Sequence, residues 1–135
     1  MLEKRATAQD PSRVLVTGSV SGITIGSLGP NATYSYSASK AAVLHLARNL
    51  AVELGPRHIL VNGIAPGFFP SKMANILMEK SGGTAALSKA SPNQRLGKAE
   101  DIAATVVFLC SRAGGHLNGT TIVLDGGMVW GASRL

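Results

Sequence analysis

Tyr36 and Lys40 stand four positions apart in the run Tyr36-Ser37-Ala38-Ser39-Lys40, a spacing that puts a phenol and an ammonium on one face of a helix. A cation that close favours phenolate over phenol, which suits the phenol to passing protons near working pH. Tyr34 is a useful contrast, because the same step from it leads to Ala38. Tyr-x-x-x-Lys is a short pattern, and taken alone it is more often two polar residues on a helix surface. Its company shifts that balance. Gly18-Ser19-Val20-Ser21-Gly22 follows an apolar, β-branched run, and ligands gather at strand C-termini in parallel sheets. A serine hydroxyl there can donate to a substrate carbonyl, the competing reading being a loop serine that serves its own backbone. Pro66-Gly67 follows a second such run, where a small, stiff backbone can approach a flat ring closely. Alone, Pro-Gly is a turn.

These residues need elements to hold them. Arg13 to Thr17 reads as a buried strand and Ser19 to Thr33 as a long loop of the kind that carries sites. Tyr34 to Leu54 follows helical spacing through Ala38, Ala42, Leu46 and Leu50 and ends at Gly55-Pro56, the punctuation of a helix C-terminus. Ile59 to Ile64 is a second strand, Lys72 to Lys80 a short helix, and Ser81 to Pro92 a flexible connection of Gly, Ser and Ala that suits a mobile lid. Ala99 to Ser111 forms a helix with Glu100 and Asp101 in its first turn, where negative charge suits the dipole, and Thr120 to Leu124 a third strand. Strands alternating with helix-length crossovers predict a parallel sheet in an α/β architecture. The residues from Met1 to Asp10 read as the end of an amphipathic helix, with Met1, Leu2 and Ala6 on one side and Pro11 stopping it. A chain that opens near a helix end is expected to be truncated.

Composition bounds the rest. The 135 residues are 45% apolar and 15% charged, the balance of one ordered domain. The formal charge of +6 comes from 13 Lys and Arg scattered along the chain, with Lys4-Arg5 as the one adjacent pair. That pattern gives a solvated basic surface with at most a modest pull on phosphate-bearing ligands or acidic carriers, and argues against a nucleic-acid partner. No secretory leader is expected in the first ten residues, and no apolar run reaches the roughly 18 residues of a membrane span. Cys110, the single cysteine, lies in an apolar helical pattern and reads as a small core residue in a reducing, cytoplasmic setting. No metal site is expected.

In order along the chain, Gly18-Ser19, Tyr36-Ser37-Ala38-Ser39-Lys40, Asn62-Gly63-Ile64-Ala65-Pro66-Gly67, Arg95-Leu96-Gly97-Lys98-Ala99-Glu100-Asp101-Ile102-Ala103, and Asn118-Gly119 to Asp125-Gly126-Gly127 resemble the C-terminal half of the short-chain dehydrogenase/reductases. The resemblance runs from about Arg13 to Gly127. The stretch from Ala65 to Met73 is similar to the branch of 3-oxoacyl-(acyl-carrier-protein) reductases of the rhamnolipid-synthesis type. Such a resemblance implies a partial Rossmann-like, doubly wound parallel sheet of about three strands with flanking helices. It implies an NAD(P)-dependent oxidoreductase that reduces a carbonyl, such as that of a 3-oxoacyl thioester, to an alcohol or runs the reverse. NADP is the favoured cofactor over NAD, the substrate is a small molecule, and the full-length family member is a homo-oligomer. By the same resemblance Ser19 polarises the substrate carbonyl, Tyr36 gives its proton to the oxygen, and Lys40 holds the ribose hydroxyls while tuning Tyr36. Pro66, Gly67 and Phe69 line the nicotinamide, and Ser71 stands where the family usually has a Thr touching the cofactor.

Two departures carry consequences. Ser19 precedes Tyr36 by seventeen positions, several more than the family interval, which leaves Ser21 and Ser27 as alternative serines. The chain also has no Gly-x-x-x-Gly-x-Gly after an opening strand, no residue placed to read the ribose after a second strand, and no mid-chain Asn motif. A dinucleotide lies across both halves of a doubly wound sheet, so the chain is expected to be a single truncated catalytic half-domain, 1–135, that binds cofactor weakly if at all. The alternative is a catalytically inactive fragment or dimerisation module in which the helix from Tyr34 to Leu54 pairs with another reductase subunit. An in-frame upstream extension encoding a strand and a glycine-rich turn separates the two.

Overall fold

The computed structural model describes residues 1–25 and 28–131. Three parallel strands form one sheet in the order β1-β2-β3. Strand β1 (Ser12–Thr17) pairs with β2 (Ile59–Pro66) from Ser12 opposite Ile59 to Thr17 opposite Ile64. Strand β3 (Thr121–Leu124) pairs with the other side of β2, from Gly63 opposite Thr121 to Pro66 opposite Leu124. The central β2 is the most buried strand, and it reads as a nearly continuous apolar run, as a strand covered on both faces must. Because all three strands run the same way, Thr17, Pro66 and Leu124 end on one rim.

Helix α1 (Tyr34–Leu54) runs from that rim back to the start of β2. It buries Leu44, Ala47 and Ala51, the last two clustering with Ile59 and Val61, while Val14, Val16, Leu50 and Leu54 pack around that cluster. The stripe predicted from spacing is turned the other way: Ala38, Ala42 and Leu46 are exposed and Leu50 is half-buried. Two glycines decide this register. A Cβ added at Gly18 would lie 2.5 Å from Leu44 Cδ2, and one at Gly63 2.9 Å from the same atom, so the sheet is hollowed where Leu44 enters. Burying such a side chain is worth about 1.5–3 kcal/mol, more than an alanine stripe offers. The helix ends at Leu54 as expected, but the left-handed residue that turns the chain into β2 is His58, at φ 56°, three residues past Gly55.

Two amides, those of the buried Asn62 and the exposed Asn118, stitch the sheet to the loop before β3. Asn118 accepts from the Val61 N–H and donates to the Ala51 carbonyl, both at 2.9 Å. Asn62 donates to the Leu117 carbonyl at 2.8 Å and accepts from the Thr120 N–H at 3.1 Å.

Helix α2 (Lys72–Lys80) lies where expected. The predicted flexible connection instead contains helix α3 (Gly83–Ala90), packed back on α2. Gly82 and Gly83, at φ 93° and 83°, make the reversal, and Met78 and Leu87 are buried. An eight-residue helix that opens on glycine instead of a capping side chain leaves little periodic signal.

Helix α4 (Ala99–Cys110) carries Glu100 and Asp101 in its first turn. Its apolar residues run all round it, and only Leu109 is fully buried; Val107 and Phe108 are exposed. Cys110 is exposed as well, which corrects its reading as a core residue: an all-round apolar pattern does not say which side meets the sheet. A short helix α5 (Met128–Gly131) follows β3. The first residues form a turn over Glu3 to Arg5, not the end of a helix. So few residues cannot meet the cost of helix nucleation; they are tied down by Ser12 Oγ donating to the Leu2 carbonyl at 2.8 Å and by an Arg57 to Glu3 ion pair at 3.5 Å.

Candidate active site

The rim of the sheet gathers the chemistry-bearing residues, and α1 brings in the rest. Four positions apart on α1, Tyr36 and Lys40 share a face: the Lys40 Nζ lies over the Tyr36 ring, 5.6 Å from its centre. The same ammonium donates to the Thr17 carbonyl at 3.0 Å, so it joins the helix to the last residue of β1. The Tyr36 side of the helix is open, with the residue 37% exposed.

Ser19 lies two residues beyond the carbonyl that Lys40 holds, and its residue is 7% exposed. It caps a 3-10 turn over Val20 to Gly22, its hydroxyl oxygen accepting from the Ser21 N–H at 3.2 Å. Among the described residues that hydroxyl donates to nothing. Gly22 presses this turn onto α1, since a Cβ there would lie 2.6 Å from the Ala41 nitrogen and the Lys40 carbonyl carbon. The turn is therefore packed onto the helix that carries Tyr36 and Lys40. Of the alternative serines, Ser21 supplies that N–H, and Ser27 lies outside the described residues.

Pro66 and Phe69 line a cleft of about 580 Å³ with Thr17, Ile64, Pro70, Gly97, Lys98, Ala99 and Ile102. This cleft does not include the side chains of Ser19, Tyr36 or Lys40; its link to them is Thr17. Gly67 and Ser71 have structural partners. The Gly67 N–H donates to the Leu124 carbonyl at 2.9 Å, with Asp125 leaving no room for a Cβ at Gly67. Ser71 Oγ accepts from the Ala74 N–H at 3.1 Å, at the start of α2.

Beyond the loop, Arg95 and Asp101 pair through two bonds, at 2.6 and 2.9 Å. Asp101 is held down to about 2, chiefly by the Arg95 side chain and next by the Lys98 N–H, which donates to it at 2.8 Å. Sequence reasoning missed Thr17, whose contribution is a carbonyl that every residue carries. It also missed the pairing of Arg95 with Asp101, although both residues lie in one motif. Among the described residues no three His, Cys, Asp or Glu side chains gather as a metal site, and no helix is long and apolar enough to cross a membrane.

Against known proteins, the family described as enoyl-(acyl carrier protein) reductase matches residues 2–129. A rhamnolipids biosynthesis 3-oxoacyl-[acyl-carrier-protein] reductase of Pseudomonas aeruginosa is 42% identical over 127 residues, covering 94% of this chain and 48% of that protein. A 5-keto-D-gluconate 5-reductase of Escherichia coli is 42% identical over 102 residues, covering 76% of this chain and 40% of that protein. Among solved structures, the Pseudomonas aeruginosa RhlG/NADP active-site complex superposes with a TM-score of 0.83 at 40% identity, over 95% of this chain and 50% of that one. The chain spans about half the length of the curated relatives it matches.

Proposed function

This chain belongs to the short-chain dehydrogenase/reductase family, and on that premise we propose that it is the half of an NADP-dependent oxidoreductase that carries the proton chemistry. The observation that carries the reading is the Lys40 ammonium shared between the Tyr36 ring and the Thr17 carbonyl, at the strand end that leads into Ser19. The Ser19 hydroxyl, fixed at its acceptor end by Ser21, donates to a substrate carbonyl oxygen. Tyr36 passes its proton to that oxygen, and Lys40 stabilises the phenolate left behind. Run backwards, the same groups take the proton from an alcohol.

The residues present fit the nicotinamide end of NADP. Thr17, Ile64, Pro66 and Phe69 give a largely apolar cleft beside the strand end that Lys40 grips, which suits a flat ring and its ribose hydroxyls. A reduced nicotinamide held by those residues would supply the hydride for the carbonyl carbon. Pro66 and Phe69, which line the cleft, would lie along the ring, with Gly67 held between them by the Leu124 carbonyl, and Ser71 would offer its hydroxyl from the start of α2. The described residues have no glycine-rich strand-to-helix turn for the diphosphate. The diphosphate grip is taken to come from a longer gene product or from a partner chain, and NAD remains the second choice of cofactor.

For substrate, the match to a 3-oxoacyl-[acyl-carrier-protein] reductase supports a 3-oxoacyl thioester, and the match to a 5-keto-D-gluconate reductase supports a small polar ketone instead. The test is to join the chain behind a glycine-rich N-terminal half and follow NADPH oxidation with each ketone. Turnover that Tyr36→Phe leaves unchanged sinks the proposal. Micromolar NADPH affinity of the 135-residue chain by calorimetry would contradict the assignment of the diphosphate grip elsewhere.

A second reading, a pairing module, is favoured by the outward face of α1, where Leu46 and Val52 are 50% and 79% exposed. In this reading two copies or a related subunit bury that face, as expected for a homo-oligomer. Sedimentation of the wild type against Leu46→Glu separates it: a monomer in both ends it.

A further inference from the structure

The geometry points to Arg95, Gly97 and Asp101 as a clamp that positions the backbone of Phe68 and Phe69 in the loop after β2, making them positioning residues for the cofactor site proposed above, on which the functional part of this inference rests. Among the described residues, two backbone hydrogen bonds tie that loop to the body. One is the Gly67 N–H bonded to the Leu124 carbonyl at 2.9 Å, and the other is the Phe68 carbonyl, which accepts from the Gly97 N–H at 3.0 Å. The first tie comes from β3 and is part of the sheet. The second comes from the turn between Arg95 and Lys98, which has no strand to hold it.

The Arg95 N–H donates to Asn93 Oδ1 at 3.3 Å on the way into that turn, and from there to α4 one carboxylate gathers the side-chain bonds. Asp101 Oδ2 accepts from Arg95 Nη1 at 2.6 Å and from the Lys98 N–H at 2.8 Å, while Oδ1 accepts from Arg95 Nη2 at 2.9 Å. Arg95 Nη1 also donates to the Leu96 carbonyl at 3.1 Å. The residues on both sides of Gly97 are thus fastened to the first turn of α4, leaving Gly97 no freedom to follow the loop. Gly97 itself is flat against the Phe69 ring, where an added Cβ would overlap the ring carbons. The ring and the peptide before it are therefore gripped together, one by contact and one by a hydrogen bond.

Arg95 and Asp101 are substantially exposed, with side chains 47% and 32% accessible, and exposed ion pairs contribute little to stability. A forked guanidinium to carboxylate pair instead fixes geometry. The arginine of that fork stands two positions from Gly97, which touches Phe69, and Phe69 lines both the 580 Å³ cleft and the neighbouring cavity of about 350 Å³ beside Trp130. Movement of the turn would shift the wall shared by the two.

The test is amide hydrogen exchange in the 135-residue chain without cofactor, comparing wild type with Arg95→Lys and Asp101→Asn. Arg95→Lys keeps the charge and the Lys98 to Asp101 cap but loses the fork. It should speed exchange at Gly97 by roughly tenfold or more, with the α4 interior from Thr105 to Leu109 and Val61 in β2 within about twofold of wild type. A pair that merely caps α4 leaves Gly97 protected in Arg95→Lys, and that result overturns the clamp. Uniform acceleration across the chain in Arg95→Lys overturns it too, since the pair would then be a global stabiliser. Asp101→Asn should loosen Gly97 at least as much; if it unfolds the chain, Arg95→Lys decides. No cofactor enters this experiment, so failure of the reductase reading, shown by Tyr36→Phe in the completed protein, is recorded separately.

Discussion

The Lys40 ammonium sits 5.6 Å from the centre of the Tyr36 ring while it donates to the Thr17 carbonyl at 3.0 Å. One side chain therefore ties the first turns of α1 to the end of β1 and stands over the group proposed to move the proton. Removing the phenol oxygen alone leaves both contacts in place. In a protein completed by an N-terminal half, Tyr36→Phe should lower turnover by about 10²-fold or more, with an unchanged denaturation midpoint. Lys40→Met should lose turnover and also release Thr17. Equal midpoints for all three proteins would show that the tie to β1 contributes nothing.

Leu44 fills a hollow that Gly18 and Gly63 leave for it. Leu44→Ala should destabilise the chain by about 2–5 kcal/mol, the range for a truncated core leucine. Gly63→Ala should cost about 1–3 kcal/mol by overpacking the same place. The two together should cost less than their sum, because the added methyl then enters the cavity. Urea melts of the singles and the double check this, and strict additivity would mean that Leu44 and Gly63 do not share the space.

Asn118 joins Val61 and Ala51, which belong to different elements, through one amide. Asn118→Ala leaves a backbone N–H and a carbonyl without partners, at about 1–3 kcal/mol for each that stays dry. A urea midpoint equal to wild type would show that water replaces both bonds freely.

Much of this arrangement was legible in the sequence because its signals are local. The β-branched runs gave the strands to within two residues at each end, and Gly55-Pro56 marked the end of α1. The four-residue step from Tyr36 to Lys40 guaranteed a common face once the helix formed. What escaped depends on the third dimension. Spacing alone could not tell the Leu44, Ala47, Ala51 face of α1 from the Ala38, Ala42, Leu46 face, because glycines in two strands make the choice. Thr17 acts through a carbonyl, which carries no sequence signal, and α3 starts at a glycine reversal that reads as a loop.

Cys110, expected in the core from its apolar neighbours, is exposed, which makes a direct prediction. An aromatic disulfide reagent should titrate one thiol per chain in native buffer as fast as in denaturant. A reaction that waits for urea would put the thiol back inside. Cys110→Ser should leave the urea midpoint within about 0.5 kcal/mol of wild type, as an exposed substitution away from any bond does.

Asp101 gives the acid limb its sign. Its ordinary value of 3.8 is lowered to about 2, first by the Arg95 hydrogen bond and then by the Lys98 N–H. The folded chain therefore takes up this proton less readily than the unfolded chain, so the contribution is full above about pH 4 and fades as pH falls through about 2. Asp101→Asn removes it. Wild type should exceed the variant in urea stability at neutral pH, and the gap should narrow steadily between about pH 4 and 2. The pair is exposed, so the gap should also shrink in high salt, where screening weakens it. If wild type and Asp101→Asn lose stability in parallel over that whole range, the carboxylate titrates alike in the folded and unfolded chains, and its bonds to Arg95 and Lys98 do not bias the fold.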